Sequence, residues 1–307
     1  MFITPDTGLR EQAYQSFSTW FGKENVSKKL DSSTPIIVSN IQALKKDPEE
    51  FERFGLVILD EFHHSGAKTY MMAMRFLSNA YYRYGLTGTF MRSDGKDMEM
   101  HGVLSEVIME KGASELIEEG FLVRPYITIV RHETSPEYGY KCSYRDAYDH
   151  IIRDESFHHK ASTIANRKIK EKKQTLILVR RVEHGEALAE LIPDAVFLHG
   201  SIKKKEINEQ KQAFNEKKIP AIIATSIFGE GTDIPSIDCL INARCEKTEI
   251  QTKQGIGRTL RKAKGKEKAE VYDFLIMGNK HLENHSAERI KSYKKEPAFR
   301  ITVTKEF

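Results

Sequence analysis

Two acids and two imidazoles follow an apolar run in GLVILDEFHHSGA (55–67). Asp60 and Glu61, placed directly after LVIL (56–59), form an arrangement a nucleotide hydrolase can use. One carboxylate holds Mg²⁺, directly or through water, and its neighbour orients the attacking water. Acids after a strand are also common without any such role. His63 and His64 are a second kind of candidate, as metal ligands. Adjacent side chains on an extended chain point to opposite sides, which argues against one shared ion.

Three further stretches carry residue types suited to the same chemistry. In YGLTGTFMR (84–92) a strand delivers Thr87, Gly88 and Thr89, small hydroxyls that can relay between an acidic site and a second ligand; an ordinary Gly/Thr turn reads the same way. AIIATSIFGEGTDIP (221–235) ends a strand at Thr225-Ser226 and continues into a bend with Glu230, Gly231, Thr232 and Asp233. Backbone N–H groups in such a bend can hold phosphate oxygens, and Asp233 can accept from a ribose hydroxyl or cap its own bend. TKQGIGRTLRKAKGK (252–266) sets Gln254, Arg258 and Arg261 at i, i+4 and i+7, one face of a helix. Two guanidiniums and an amide make a poor core and a good clamp for a γ-phosphate; the alternative is a solvated basic face.

The elements that must position these residues are legible as alternating apolar runs and helical patterns. PIIV (35–38), LVIL (56–59), YGLT (84–87), YITIV (126–130), TLILV (175–179), AVFL (195–198), AIIAT (221–225), CLINA (239–243) and EVYDFL (270–275) read as strands. LREQAYQSF, YMMAMRFL, ASELIEE and EINEQKQAF read as helices between them. Unbroken apolar runs imply parallel strands covered on both faces, so the fold class is α/β. Both halves carry candidates just beyond strand ends, where open α/β sheets bind ligands. A length of 307 residues accommodates two domains, with a joint expected around EEGFLVRPY (118–126), dividing 1–124 from 125–307. No apolar run is long enough for a membrane span, no signal sequence opens the chain, and three cysteines lack CxxC spacing. These features point to a cytoplasmic protein, and a net charge of +4 permits a nucleic-acid partner.

In order along the chain, Asp-Glu-x-His after a strand, GLTGT, EGTDIP and QGIGRTLR resemble the motif set of DExH-type superfamily 2 helicases. ITPDTGLREQAYQSF (3–17) is similar to motif Ia, TPIIVSNIQAL (34–44) to the next nucleic-acid motif, and residues 175–215 to motif IV and the segment after it. The likeness spans about 3–275, and its texture is similar to the phage recombination and branch-migration group. The resemblance implies two RecA-like parallel-sheet domains and ATP-driven work on DNA, single-stranded or branched, in recombination, repair or replication. For a phage-encoded chain the compartment would be the host cytoplasm. It also implies ATP and Mg²⁺ between the domains, with Asp60 holding the metal, Glu61 activating water and His63 linking the site to the neighbouring domain. Gly231 and Asp233 would line the nucleotide, Arg258 and Arg261 would act as arginine fingers, and Gln254 would hold the closed state. Thr87 and Thr89 would couple the site to DNA, and Thr4, Pro5, Ser39, Gln42 and Thr225 would lie along the strand.

One part of that pattern is missing. Gly-Lys occurs at 22–23, 95–96 and 265–266, each followed by Glu or Asp, so no GxxxxGK[ST] run lies in these residues. The expectation is a first domain truncated at its N-terminus and a chain that is ATPase-deficient alone, with a separate P-loop segment as a partner. Loss of a strand from within the first sheet would expose apolar faces and edges. The rival reading is a non-catalytic nucleic-acid-binding remnant or accessory chain of a split helicase. Lys203–Lys205 and RKAKGKEK (261–268) read as solvated faces, His150, His158 and His159 as structural, and Trp20 and Phe21 as packed in the first domain.

Overall fold

The computed structural model describes residues 1–30, 33–43, 51–62, 77, 79–88, 104, 106–139, 141–225, 237–247, 256–257, 259–263 and 265–304. The chain divides into two compact units, Met1–Glu110 and Lys111–Phe307. Each is built on an open parallel sheet, the two-domain RecA-like α/β architecture that the motif order implies.

The first sheet has five strands: β1 (Phe2–Thr4), β2 (Val26–Ser27), β3 (Ile36–Asn40), β4 (Leu56–Leu59) and β5 (Tyr82–Gly85), in the order β2-β3-β1-β4-β5. Helix α1 (Thr7–Phe21) starts where the Asp6 carboxylate accepts from the amides of Gly8 and Leu9 at 2.6 and 3.0 Å. The pairings Phe2↔Ile58, Ile58↔Tyr84 and Leu56↔Tyr82 sort the side chains onto two faces. One face carries Ile3, Ile37, Val57 and Leu59, all fully buried with Phe62, Leu77 and Ala80. The other is covered by α1 near β1, where Phe17 packs edge-on against Phe2 with centroids 5.0 Å apart. Toward β5 it opens: Leu56, Tyr82 and Tyr84 are 44%, 56% and 40% exposed. Trp20 and Phe21, expected to pack, are 73% and 50% exposed at the end of α1, touching only Phe17 among the described aromatic rings.

The second sheet has seven strands: β6 (Arg124–Glu133), β7 (Thr175–Leu178), β8 (Ala195–Leu198), β9 (Ala221–Ala224), β10 (Cys239–Asn242), β11 (Lys268–Met277) and β12 (Arg300–Thr304). They run in the order β12-β6-β11-β10-β7-β9-β8, every pairing parallel. Every residue of β7, β9 and β10 is buried, which is why their sequences are apolar without alternation. Helices α2 (Ala113–Glu118), α3 (Tyr144–Ile151), α4 (Glu155–Lys170), α5 (Val182–Leu191), α6 (Lys204–Asn215) and α7 (Lys280–Lys294) belong to this unit. Gly120, in the left-handed conformation at φ 78°, ends α2, with the Phe121 amide donating to the Leu116 carbonyl at 2.9 Å. Helix α2 is tied to the C-terminal part of the chain, the Ser114 hydroxyl donating to Glu296 at 2.7 Å. No described helix is long and apolar enough to cross a membrane.

Candidate nucleotide and nucleic-acid site

Because all five strands of the first sheet are parallel, their C-terminal ends gather the sequence motifs along one edge. The Asp60 amide donates to the Ile3 carbonyl at 2.8 Å, and the Leu86 amide to the Leu59 carbonyl at 2.8 Å. The Phe62 amide then donates to the Leu86 carbonyl at 3.0 Å. The sheet register thus carries on past the strands and sets Asp60-Glu61 beside Leu86-Thr87. Two motifs that are 26 residues apart in sequence become adjacent main chain.

Glu61 takes a left-handed conformation, φ 45°, which non-glycine residues seldom adopt. Such conformations persist where surrounding structure fixes them and cluster at functional sites. The Glu61 amide donates to Asp60 Oδ1 at 3.0 Å, so the turn folds back onto the first carboxylate. Burial pushes the Asp60 carboxyl above its ordinary range, opposed by that amide. Among the described residues no cationic side chain pairs with Asp60. A half-buried carboxylate without a cation, with one oxygen unused, is the hard oxygen donor that Mg²⁺ takes. The residues present at this end therefore fit the metal of a metal–nucleotide complex.

At the ends of β1 and β3 the Thr4 hydroxyl lies within hydrogen-bond reach of the carbonyls of Asp6 and Ser39, at 2.9 and 3.3 Å. Gln42 Nε2 donates to the Pro5 carbonyl at 2.9 Å, and the Ile41 amide to the Thr4 carbonyl at 3.0 Å. Thr4 and Ser39 are buried and knit the two loops together, whereas Gln42 is exposed and Pro5 half-buried on the loop surface.

In the second unit Thr225 is buried just beyond β9, its amide donating to the Leu198 carbonyl at 3.3 Å. Arg261 is exposed, its backbone bridged to Leu122. His63, Thr89, Gly231, Asp233, Gln254 and Arg258 lie outside the described residues.

Several supporting residues escaped the sequence reading. Lys266, expected on a solvated face, is turned inward, donating to the carbonyls of Thr259 and Ile237, and burial lowers its pKa to about 8. It joins Thr259, within QGIGRTLR, to Ile237 just before β10, a role that nothing in RKAKGKEK signals. Arg289 of α7 is fully buried against Asp273 of β11, with Nη2–Oδ1 at 2.9 Å and Nε–Oδ2 at 3.0 Å. Its remaining donors meet the carbonyls of Glu246 and Phe274. Asn242 and Tyr293 also donate to Asp273, so the buried charge is fully partnered. The Glu246 carboxylate in turn holds Arg180 at 2.7 Å. The C-terminal helix thereby grips the loop after β10.

Comparisons with known proteins match two parts of the chain to family models. Residues 1–92 match the family model "Type III restriction enzyme, res subunit", and residues 159–263 match "Helicase conserved C-terminal domain". "ATP-dependent DNA helicase uvsW" of Enterobacteria phage T4 is 24% identical over 295 residues, covering 90% of this chain and 59% of that protein. The chain belongs to superfamily 2 of the helicases. "Probable helicase D10" of Escherichia phage T5 is 27% identical to this helicase chain, over its whole length and 68% of the relative's. The fold is that of the Pyrococcus furiosus Hef helicase domain, with a TM-score of 0.59 at 14% identity, covering 94% of this chain and 88% of that one. The chain spans between 40% and 59% of the length of the first curated relatives it matches.

Proposed function

We propose that this chain is the motor part of an ATP-dependent DNA helicase or translocase, serving recombination, repair or replication. The observation that carries the reading is the joined strand ends, with Asp60 and Glu61 hydrogen-bonded alongside the Thr87 segment through Phe62 and Leu86. A change at the phosphate end can pass to the loop that faces nucleic acid through that bond. The DNA named for the phage T4 relative favours DNA over RNA.

In this mechanism Asp60 holds Mg²⁺, which when bound neutralises charge on the phosphates. Glu61 orients the attacking water and takes its proton. Gly231 and Asp233 line the nucleotide, while Arg258 and Arg261 meet transition-state charge with forked donors. Gln254 holds the closed arrangement, and His63 links the acidic site to the second unit. The single strand runs past Pro5 and Gln42, on loops that Thr4 and Ser39 set from beneath, and past Thr87, Thr89 and Thr225.

The phosphate cradle comes from a strand–loop–helix segment, fused or separate, that completes the first sheet. The open face supports this. A parallel strand beyond β5 would end two strands from Asp60, about 10 Å away, whereas the outer side of β2 is four strands from it. Right-handed crossovers place helices on opposite faces for opposite directions across a sheet. A helix leading from that slot back to β1 therefore falls on the face of α1, over Leu56, Tyr82 and Tyr84. The second reading, a non-catalytic nucleic-acid-binding chain of a split helicase, is favoured by the lack of a GxxxxGK[ST] run in these 307 residues.

The test is DNA-dependent ATP hydrolysis by the 307-residue chain with and without such a segment. Turnover is expected only with it, abolished by Glu61→Gln with nucleotide binding retained, and cut severely by Arg258→Ala. Lys204→Ala is the control. If the two site variants behave like the control, the motor assignment fails; if no segment restores turnover, the non-catalytic reading prevails.

A further inference from the structure

Helices α4 and α6 end in the same unusual way. After α4 come Glu171, Lys172 and Lys173; after α6 come Glu216, Lys217 and Lys218. The Lys173 amide donates to the Lys168 carbonyl at 2.9 Å and the Lys172 amide to that of Ile169 at 2.9 Å. The Lys218 and Lys217 amides donate to the carbonyls of Ala213 and Phe214 at 2.8 and 3.0 Å. Both are Schellman caps, in which the left-handed residue is usually glycine. Here it is lysine twice, at φ 58° and 59°.

The two turns feed β7 and β9, which are neighbours with Thr175 paired to Ala221. The side-chain Nε2 of Gln174 ties them together, donating to the carbonyls of Phe214 and Ile219 at 2.6 and 3.1 Å. The local acids are already matched: Glu171 pairs with Lys168 at 2.7 Å and Glu216 with Lys218 at 2.6 Å. Lys170, Lys172, Lys173 and Lys217 form no ion pair among the described residues. Four unneutralised ammonium groups thus stand on two adjoining turns, at the edge where the parallel strands begin. Thr225 stands at the opposite edge, beyond strands of four residues, about 13 Å of chain. The favourable effect of lysine at a helix C-terminus explains a cation in the last turn but not a strained one at the glycine position.

We propose that the paired lysine turns are a second nucleic-acid contact of this chain, taking the phosphate backbone of a duplex. The proposal rests on the nucleic-acid reading above for the identity of the polyanion. Backbone phosphates impose no sequence requirement and need only placed cations, which two turns locked by Gln174 provide.

The strained conformation gives a test that separates binding from folding. Lys172→Gly with Lys217→Gly puts the preferred residue at both caps, so the thermal midpoint should hold or rise. Binding of the full chain to a labelled duplex of about 20 bp is followed by anisotropy between about 50 and 200 mM salt. The double glycine variant should bind about tenfold more weakly at the lower salt, with a log–log salt slope shallower by about 2. Lys172→Arg with Lys217→Arg, which keeps both charges, should match the wild type. Unchanged duplex affinity and slope in the glycine variant would overturn the second contact. A wild-type chain that binds neither duplex nor single strand would overturn the nucleic-acid reading itself.

Discussion

Phe62 and Leu86 are joined by a single main-chain hydrogen bond of 3.0 Å that spans the ends of β4 and β5. Beside that bond Glu61 is held at φ 45°, a conformation that costs on the order of 1 kcal/mol for a residue with a Cβ. Glycine adopts it without that cost. Glu61→Gly is therefore expected to raise the stability of the first unit by a few tenths to about 1 kcal/mol in urea denaturation. Glu61→Gln, which keeps the Cβ, should leave stability unchanged. Neither should support hydrolysis once a phosphate cradle is supplied. A drop in stability with glycine would show that the carboxylate's own contacts outweigh the strain.

The open face of the first sheet leads to a second expectation. Leu56 and Tyr84 are already 44% and 40% exposed, so Leu56→Asp and Tyr84→Asp should change the stability of the 307-residue chain by less than about 1 kcal/mol. The same changes should weaken capture of a completing strand–loop–helix segment at least tenfold, because a carboxylate would then be buried without a partner. Calorimetric titration of the segment into each variant measures this. Equal affinity for wild type and variants would place the segment elsewhere.

The buried pair of Arg289 and Asp273 makes a third case. Arg289→Met leaves the Asp273 carboxylate in the core without its cation, at a cost of about 3–5 kcal/mol. Arg289→Lys should recover little, since one ammonium cannot reach Asp273 and the Glu246 and Phe274 carbonyls together. Joining Arg289→Met with Asp273→Asn should cost clearly less than the sum of the single changes. Additive losses in chemical denaturation would mean that the pair is not coupled.

What could be read from the sequence was the part written in short-range pattern. Apolar runs marked both parallel sheets because a strand covered on two faces cannot alternate, as TLIL and AIIA show. The places of Asp60, Glu61 and Thr87 just past strand ends were legible because the apolar runs stop there. Residues whose roles depend on long-range contact were not legible. Lys266 lies in a run that looks solvated, and only the fold turns it onto the Thr259 carbonyl. Arg289 sits in a helix rich in charge and is buried because Asp273, sixteen residues earlier, waits beneath it. Trp20 and Phe21 misled for the opposite reason: aromatic residues suggest a core, yet both stand exposed at the end of α1.

The histidines of the second unit give a pH dependence with a definite sign. His184 is fully buried between Phe157 and His158, with ring centroids 5.8 and 5.2 Å away and no hydrogen bond to either ring nitrogen. Burial, and then the neighbouring His158, lower its pKa to about 3. Burial also lowers His132 and His158, and takes His285 to about 4. In the unfolded chain these rings bind protons near pH 6.5. Between about pH 6.5 and pH 4 the unfolded state therefore holds more protons, and stability falls as pH falls; above that window it is fully present. Asp154, whose carboxylate caps α4 and meets His132 at 3.0 Å, has its pKa held below the ordinary value despite burial, chiefly by that imidazole. Its contribution is lost only below the ordinary carboxylate range, outside this window. His184→Phe keeps an aromatic ring at the site and removes one titrating group. The slope of unfolding free energy against pH between 4 and 6 should then become shallower by about one proton, roughly 1.4 kcal/mol per pH unit. Urea titrations of wild type and His184→Phe at pH 4, 5, 6 and 7 measure both slopes. Parallel curves would mean that His184 takes up its proton in the folded protein, against the dry packing around its ring.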